Sequence, residues 1–323
     1  MNSPLRYGVF DRAIPVDKIS RLADGWLLAG EVSQHSWQTR DTRRFVIDKL
    51  LWFCDLRKIE EVDTMALRMF FLYCTNGHKE PGGRWGNPQM IQPVRPRTVQ
   101  TYHCHLRTFF RWLVAEELLA VSPMERIPAP IARPDQVEPF TPDDLRALIA
   151  AAEKSKQPRR DKALIYFLLD TGVRAGELVG LQVADLDIPQ RHARVLGKGN
   201  KERTVHFEAH TARALWAYLQ RQAKTDADHV FSGQRGPMSV SGLRQCIERL
   251  GEAAGVNDAY PHRFRHTFAI EFLRSGGQAF ALQHILGHTN SQMTQKYVNF
   301  ASADIQIQQR RHSPVERLLK RGK

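Results

Sequence analysis

The sequence predicts a mainly α protein with a small β-sheet, divided into a helical N-terminal domain and a larger α+β domain. Apolar residues recur at helical spacing through positions 16–119. Six prolines (Pro123, Pro128, Pro130, Pro134, Pro139 and Pro142) then interrupt the pattern. Strand-like alternation marks residues 193–207, around Gly197, Gly199 and Asn200, the signature of a hairpin with a glycine-rich tip. A chain of 323 residues is long enough for two domains, each with its own core.

The first helix is expected over 16–29, with Ile19, Leu22, Trp26 and Leu27 on one face, and the second over 36–58, through Phe45, Val46, Leu50, Trp52 and Phe53. Asp63 fits an N-cap for a third helix through Leu67, Phe70, Phe71 and Cys74, closed by Asn76-Gly77. Residues 78–96 hold four prolines and three glycines and form a loop. A fourth helix over 98–119 carries Val99, Tyr102, Leu106, Phe109, Phe110 and Leu113 inward, with Arg107 and Arg111 elsewhere. The division expected is a domain over 1–121, a Pro-rich linker over 122–142, a second domain over 143–309 and a basic tail over 310–323.

The second domain opens on Thr141-Pro142-Asp143-Asp144, a cap, a proline for the first turn and two acids suited to the helix dipole. A helix over 162–169 runs to a turn at Gly172, and Arg174 begins the next one. Beyond Leu243 the chain is expected to be predominantly helical, punctuated by glycines.

A formal net charge of +13 and a pI near 9.8 call for an anionic partner, nucleic acid first among them. Cys54, Cys74, Cys104 and Cys246 show no C-x-x-C pair, which argues against a disulfide framework or a zinc site. The N-terminal residues lack the apolar run of a signal peptide, and no stretch is long and apolar enough to span a membrane. The expected location is a reducing, DNA-containing compartment, the cytoplasm with its nucleoid.

The chemistry is concentrated in five strings: TGVRAGELVGLQ (171–182), GKGNKER (197–203), PHRFRHTFA (261–269), LGH (286–288) and TQKY (294–297). They supply Arg174, Lys198, His262, Arg265, His288 and Tyr297. Two guanidinium forks can grip the non-bridging oxygens of one phosphodiester. His262 lies three residues before Arg265 on one helical face, where it can bond the same phosphate or help take the tyrosine proton. Gly287 suits a left-handed helix stop that turns His288 toward the site. Tyr297, expected in a short helix capped by Ser291, is a nucleophile whose unperturbed pKa of about 10 requires cations or a base nearby.

These strings together resemble the catalytic domain of the tyrosine recombinases, the family of phage-type integrases and Xer-type resolvases. The resemblance implies a helical core-binding domain followed by an α+β tyrosine-recombinase catalytic domain. It assigns the six residues to catalysis, with Lys198 as the general acid on the departing 5′-oxygen and a 3′-phosphotyrosyl intermediate that conserves bond energy. No cofactor is then needed, and no Walker-type loop occurs. No metal is expected either, because Arg263 stands where H-E-x-x-H requires glutamate.

Glu177 is read as orienting the Arg174 fork, and His266 as packing or support. The bland reading of Arg174 with Glu177, a surface ion pair, is worth well under about 1 kcal/mol. Arg84, Arg95, Arg97, Arg107, Arg111, Lys201 and Arg203 are candidate phosphate contacts. The partner implied is double-stranded DNA with inverted half-sites, bound by a chain monomeric in solution and tetrameric in the synaptic complex. Asn299 departs from the histidine that many relatives carry two residues after the tyrosine. The alternatives are a non-catalytic DNA-binding protein that retains the recombinase fold, and a type IB topoisomerase with the same chemistry.

Overall fold

The computed structural model describes residues 10–78, 82–131, 137–197, 201–222, 224–233, 236–287, 294–295 and 297–298. The chain divides into two compact units, Met1–Asp135 and Gln136–Lys323.

In the first unit, β1 (Ile14–Pro15) leads into α1 (Val16–Val32), followed by α2 (Trp37–Arg57), β2 (Glu61–Val62), α3 (Thr64–Thr75) and α4 (Pro96–Ala115). The N-caps are local chemistry. Ser36 Oγ accepts the Thr39 amide at 3.3 Å, and Asp63 Oδ1 accepts that of Ala66 at 2.7 Å. Each such cap is worth about 1 kcal/mol. Leu22 and Trp26, Leu50 and Phe53, Phe70, and Phe109 bring the four helices onto one core. The antiparallel β1–β2 pair, which joins Ile14 to Val62, was not expected, because two-residue strands carry no alternation.

α4 begins and ends earlier than the expected 98–119. Pro96 occupies its first turn, where a missing amide donor costs nothing, and Glu117 takes a left-handed φ of 57° just beyond its end. The described part of the 78–96 loop is fastened by Trp85, which packs 5.5 Å from Trp52 and 5.1 Å from Tyr73, with the Lys49 ammonium 5.0 Å above its ring. Both ends of the Pro-rich segment carry packing residues. Met124 and Ile127 join the first unit's core, while Phe140 packs 4.8 Å from Phe264 in the second.

The second unit contains α5 (Pro142–Glu153), α6 (Pro158–Thr171), α7 (Ala175–Val179), β3 (Leu186–Asp187), β4 (His192–Leu196), β5 (Glu202–His206), α8 (Ala209–Leu219), α9 (Val240–Ala254), α10 (Pro261–Arg274) and α11 (Ala279–Leu286). α5 starts on a reciprocal capping box: Thr141 Oγ1 accepts the Asp144 amide, and Asp144 Oδ2 accepts that of Thr141. The strands form one antiparallel sheet in the order β3-β4-β5, and its hairpin pairs Ala193 with Val205 and Val195 with Arg203. Phe167, Val195, Val205, Phe231, Ile247 and Phe264 anchor the main core. A smaller cluster joins Ile270 and Leu273 of α10, Leu282 and Leu286 of α11, and Tyr297.

Candidate active site

The site is built where α6 ends, α7 begins and α11 stops. Gly172 terminates α6 in the left-handed conformation, at φ 60°. A Cβ there would lie 2.4 Å from Phe268 Cδ1, so the position needs glycine for space as well as for φ. Two residues on, Arg174 is the N-cap of α7. Its own amide donates to Glu177 Oε2 at 2.7 Å and its Nη1 to Glu177 Oε1 at 2.8 Å. Glu177 is buried and therefore more than a surface ion-pair partner. Burial works against its charge, yet hydrogen bonds and charge from Arg203 and Arg174 outweigh that and hold the carboxyl below its ordinary value.

Arg265 projects from α10 into the interior and is 1% exposed. Its Nη1 donates to Gly172 O and its Nη2 to Leu286 O, both at 2.7 Å. Burial first, then the Arg174 charge, lowers its pKa to about 10, which leaves it protonated at neutral pH. His262, one turn earlier on α10, has an exposed residue surface. Partial desolvation against the site, followed by the charges of Arg265 and Arg174, pulls its pKa down and favours the neutral imidazole.

Tyr297 is buried beside these groups. Burial raises its phenol pKa, against the pull of Arg265, which hydrogen-bonds to it, and of Arg174. The His266 ring lies 5.3 Å from the Tyr297 ring, which makes it a packing partner of the phenol. Arg174, Arg265, His262, Tyr297, Glu177 and His266 are thus gathered in one region. Lys198, His288 and the expected Ser291 cap lie outside the described residues. Their neighbours Gly197 and Gly287 are described, and Gly287 stops α11 in the left-handed conformation at φ 61°.

Arg203 was expected on a DNA phosphate, but the structure turns it inward. Nη1 and Nη2 hold Glu177 at 2.6 and 2.8 Å, and Nε donates to Ile285 O at 2.9 Å. Lys201 is exposed. In the first unit, half-buried Arg84 donates from Nη1 to Gln92 O within its own loop. Arg95, Arg97, Arg107 and Arg111 are exposed. Arg97, Arg107 and Arg111 fall within about 80° of one another around α4, at about 100° per residue.

The sequence model of the phage integrase family matches residues 138–303, more than half of the chain. Over 198 residues the chain is 32% identical to the tyrosine recombinase XerC of Actinobacillus pleuropneumoniae serotype 7 (strain AP76), covering 60% of this chain and 65% of that one. Over 287 residues it is 31% identical to the tyrosine recombinase XerC of Bacillus pumilus (strain SAFR-032), covering 83% and 88%. The chain belongs to the phage integrase family, as a tyrosine recombinase. Its fold is shared with the Tn1549 transposon integrase solved in complex with transposon right end DNA, at a TM-score of 0.69 and 20% identity over 88% of this chain and 94% of that one.

Proposed function

We propose that this chain is a site-specific DNA recombinase that cleaves and rejoins strands through a 3′-phosphotyrosyl intermediate. The observation that carries this is the convergence on Tyr297 of two guanidiniums fixed by backbone carbonyls. Arg174 and Arg265 neutralise the non-bridging oxygens as charge grows on the pentacoordinate phosphorus. A preorganised donor of this kind contributes about 3 kcal/mol. Because both are already held by carbonyls, little reorganisation is required when the phosphate arrives.

The Tyr297 oxygen attacks phosphorus, its proton leaves, and the bond to the 5′-oxygen breaks. Burial keeps the resting phenol protonated, so a base is required at the moment of attack; His262, held neutral, supplies one. Lys198 protonates the 5′-oxygen, and His288 assists at the phosphate. Religation runs the same steps backwards with a 5′-hydroxyl as nucleophile, without a cofactor.

The partner is double-stranded DNA, drawn by the +13 charge and held by the arginine face of α4 and by Lys201. Inverted half-sites and a tetrameric synaptic complex belong to the same reading.

The test uses a library of nicked duplexes randomised over the binding site, incubated with protein and resolved under denaturing conditions. Wild type forms a covalent protein–DNA adduct and Tyr297→Phe forms none. No adduct with wild type favours the non-catalytic alternative, and an undiminished one with Tyr297→Phe removes Tyr297 as the nucleophile.

A further inference from the structure

Three arginines cap the end of α11, each on a different carbonyl. Arg203 Nε reaches Ile285 O at 2.9 Å, Arg265 Nη2 reaches Leu286 O at 2.7 Å, and Arg174 Nη2 reaches Gly287 O at 3.3 Å. The last carbonyls of a helix have no intrahelical donor and lie at the negative end of its dipole, so they suit cations. Two of these arginines form the phosphate grip proposed above. The third, with a side chain 13% exposed, places both terminal nitrogens on Glu177, the carboxylate that also holds Arg174.

Close backbone contacts surround the same guanidinium. A Cβ on Gly287 would lie 3.2 Å from Arg203 Cδ, and one on Gly197 would lie 3.6 Å from Arg203 Nη1 and 3.4 Å from Glu177 Oε1. One side chain therefore touches the segment that precedes Lys198, the segment that precedes His288, and the anchor of Arg174. A lysine offers one nitrogen in place of three and cannot reproduce two parallel donors on Glu177 with a third on the helix-end carbonyl.

We propose that Arg203 is a positioning residue for DNA cleavage: it locks Glu177 to the end of α11 and so fixes the Arg174 fork and the β4–β5 hairpin in one block. The proposal rests on the recombinase reading. It gives Arg203 a task distinct from binding DNA.

The experiment uses the full chain and a nicked duplex recovered from the library selection. Covalent adduct formation is timed in single turnover for wild type, Arg203→Gln, Arg203→Lys, Glu177→Gln and the double variant Arg203→Gln/Glu177→Gln. DNA affinity and melting temperature are measured alongside. Arg203→Gln and Arg203→Lys slow adduct formation by about 100-fold, the cost of a displacement on the order of 1 Å, while DNA affinity holds. The double variant is no slower than Glu177→Gln, because the two act as one unit. The pH profile of the slowed variants also moves upward, since a loosened Arg174 assists the phenolate less.

A wild-type rate in Arg203→Gln overturns the proposal. So does an affinity loss equal to the rate loss, which would mark a phosphate contact, or losses that multiply in the double variant. Should Arg203→Gln fail to fold, Arg203→Lys at an unchanged melting temperature decides by the same criteria. Absence of a wild-type adduct removes the recombinase reading and this proposal together; a wild-type adduct with an unaltered Arg203→Gln rate removes this proposal alone.

Discussion

Gly172→Ala is predicted to destabilise the second unit by about 2–4 kcal/mol and to slow cleavage as well. The left-handed backbone at φ 60° costs a residue with a Cβ about 1 kcal/mol. The added methyl would stand 2.4 Å from Phe268 Cδ1 and 3.0 Å from Leu286 Cδ2, an overpacking that costs about 1–3 kcal/mol more. Gly255 supplies the control: its φ is 68°, yet no atom lies within 4 Å of its would-be Cβ, so Gly255→Ala carries the backbone cost alone. In urea unfolding followed by circular dichroism, at a slope of about 2 kcal/mol/M, Gly172→Ala lowers the midpoint by about 1–2 M and Gly255→Ala by about 0.5 M. The Gly172 carbonyl also receives Arg265 Nη1 at 2.7 Å, so a backbone shift there moves the fork and reduces the adduct rate. Equal midpoints for the two variants would refute the steric argument, and an unaltered rate in a destabilised Gly172→Ala would refute the link to Arg265.

Arg174→Lys and Arg265→Lys each remove a two-pronged donor, and adduct formation should fall by about 100- to 1,000-fold in single-turnover assays while DNA affinity changes little; a loss under tenfold would count against the forks. His262 and His266 both have folded pKa values below the unfolded value of about 6.5. The unfolded chain therefore binds more protons as the pH falls below about 7, and stability should decline from there down through the folded values; a melting temperature that stays flat across this range contradicts that sign. Asp161 is wholly buried and accepts from Arg160 Nη2 at 2.7 Å, so Asp161→Ala leaves an uncompensated cation. The expected cost is about 3–5 kcal/mol in chemical unfolding, without any route through the site; a cost below about 1 kcal/mol would show that Arg160 finds another acceptor.

What was legible in the sequence was chiefly local. Asp63 and Thr141 announce helix starts because a cap and the amide it accepts from lie within one turn of each other. Gly172 and Gly287 announce stops because only glycine adopts those angles without strain. The ends of α4 were misplaced because the apolar stripe continues through Leu118 and Leu119 after the helix has stopped. β1 and β2 could not be read at all, since their pairing joins residues about 50 positions apart with no pattern in either.

Arg203 differs from these cases, because its inward direction was encoded and its destination was not. Strand side chains alternate faces, and Val205 of β5 is buried, so Arg203, two residues before it, shares the inward face. Its cross-strand partner Val195 is buried too. A guanidinium in that register requires an acceptor of opposite charge, since an unpaired buried cation costs several kcal/mol. The nearest acid in the sequence, Glu202, is excluded because adjacent strand residues point to opposite faces. The acceptor must therefore lie outside the hairpin. Choosing Glu177 among the others required the long-range packing that brings α7 and the end of α11 against the strands. Charge pattern alone assigned Arg203 to the DNA with Lys201; Arg203 lies within the paired strand, whereas Lys201 precedes it and is exposed.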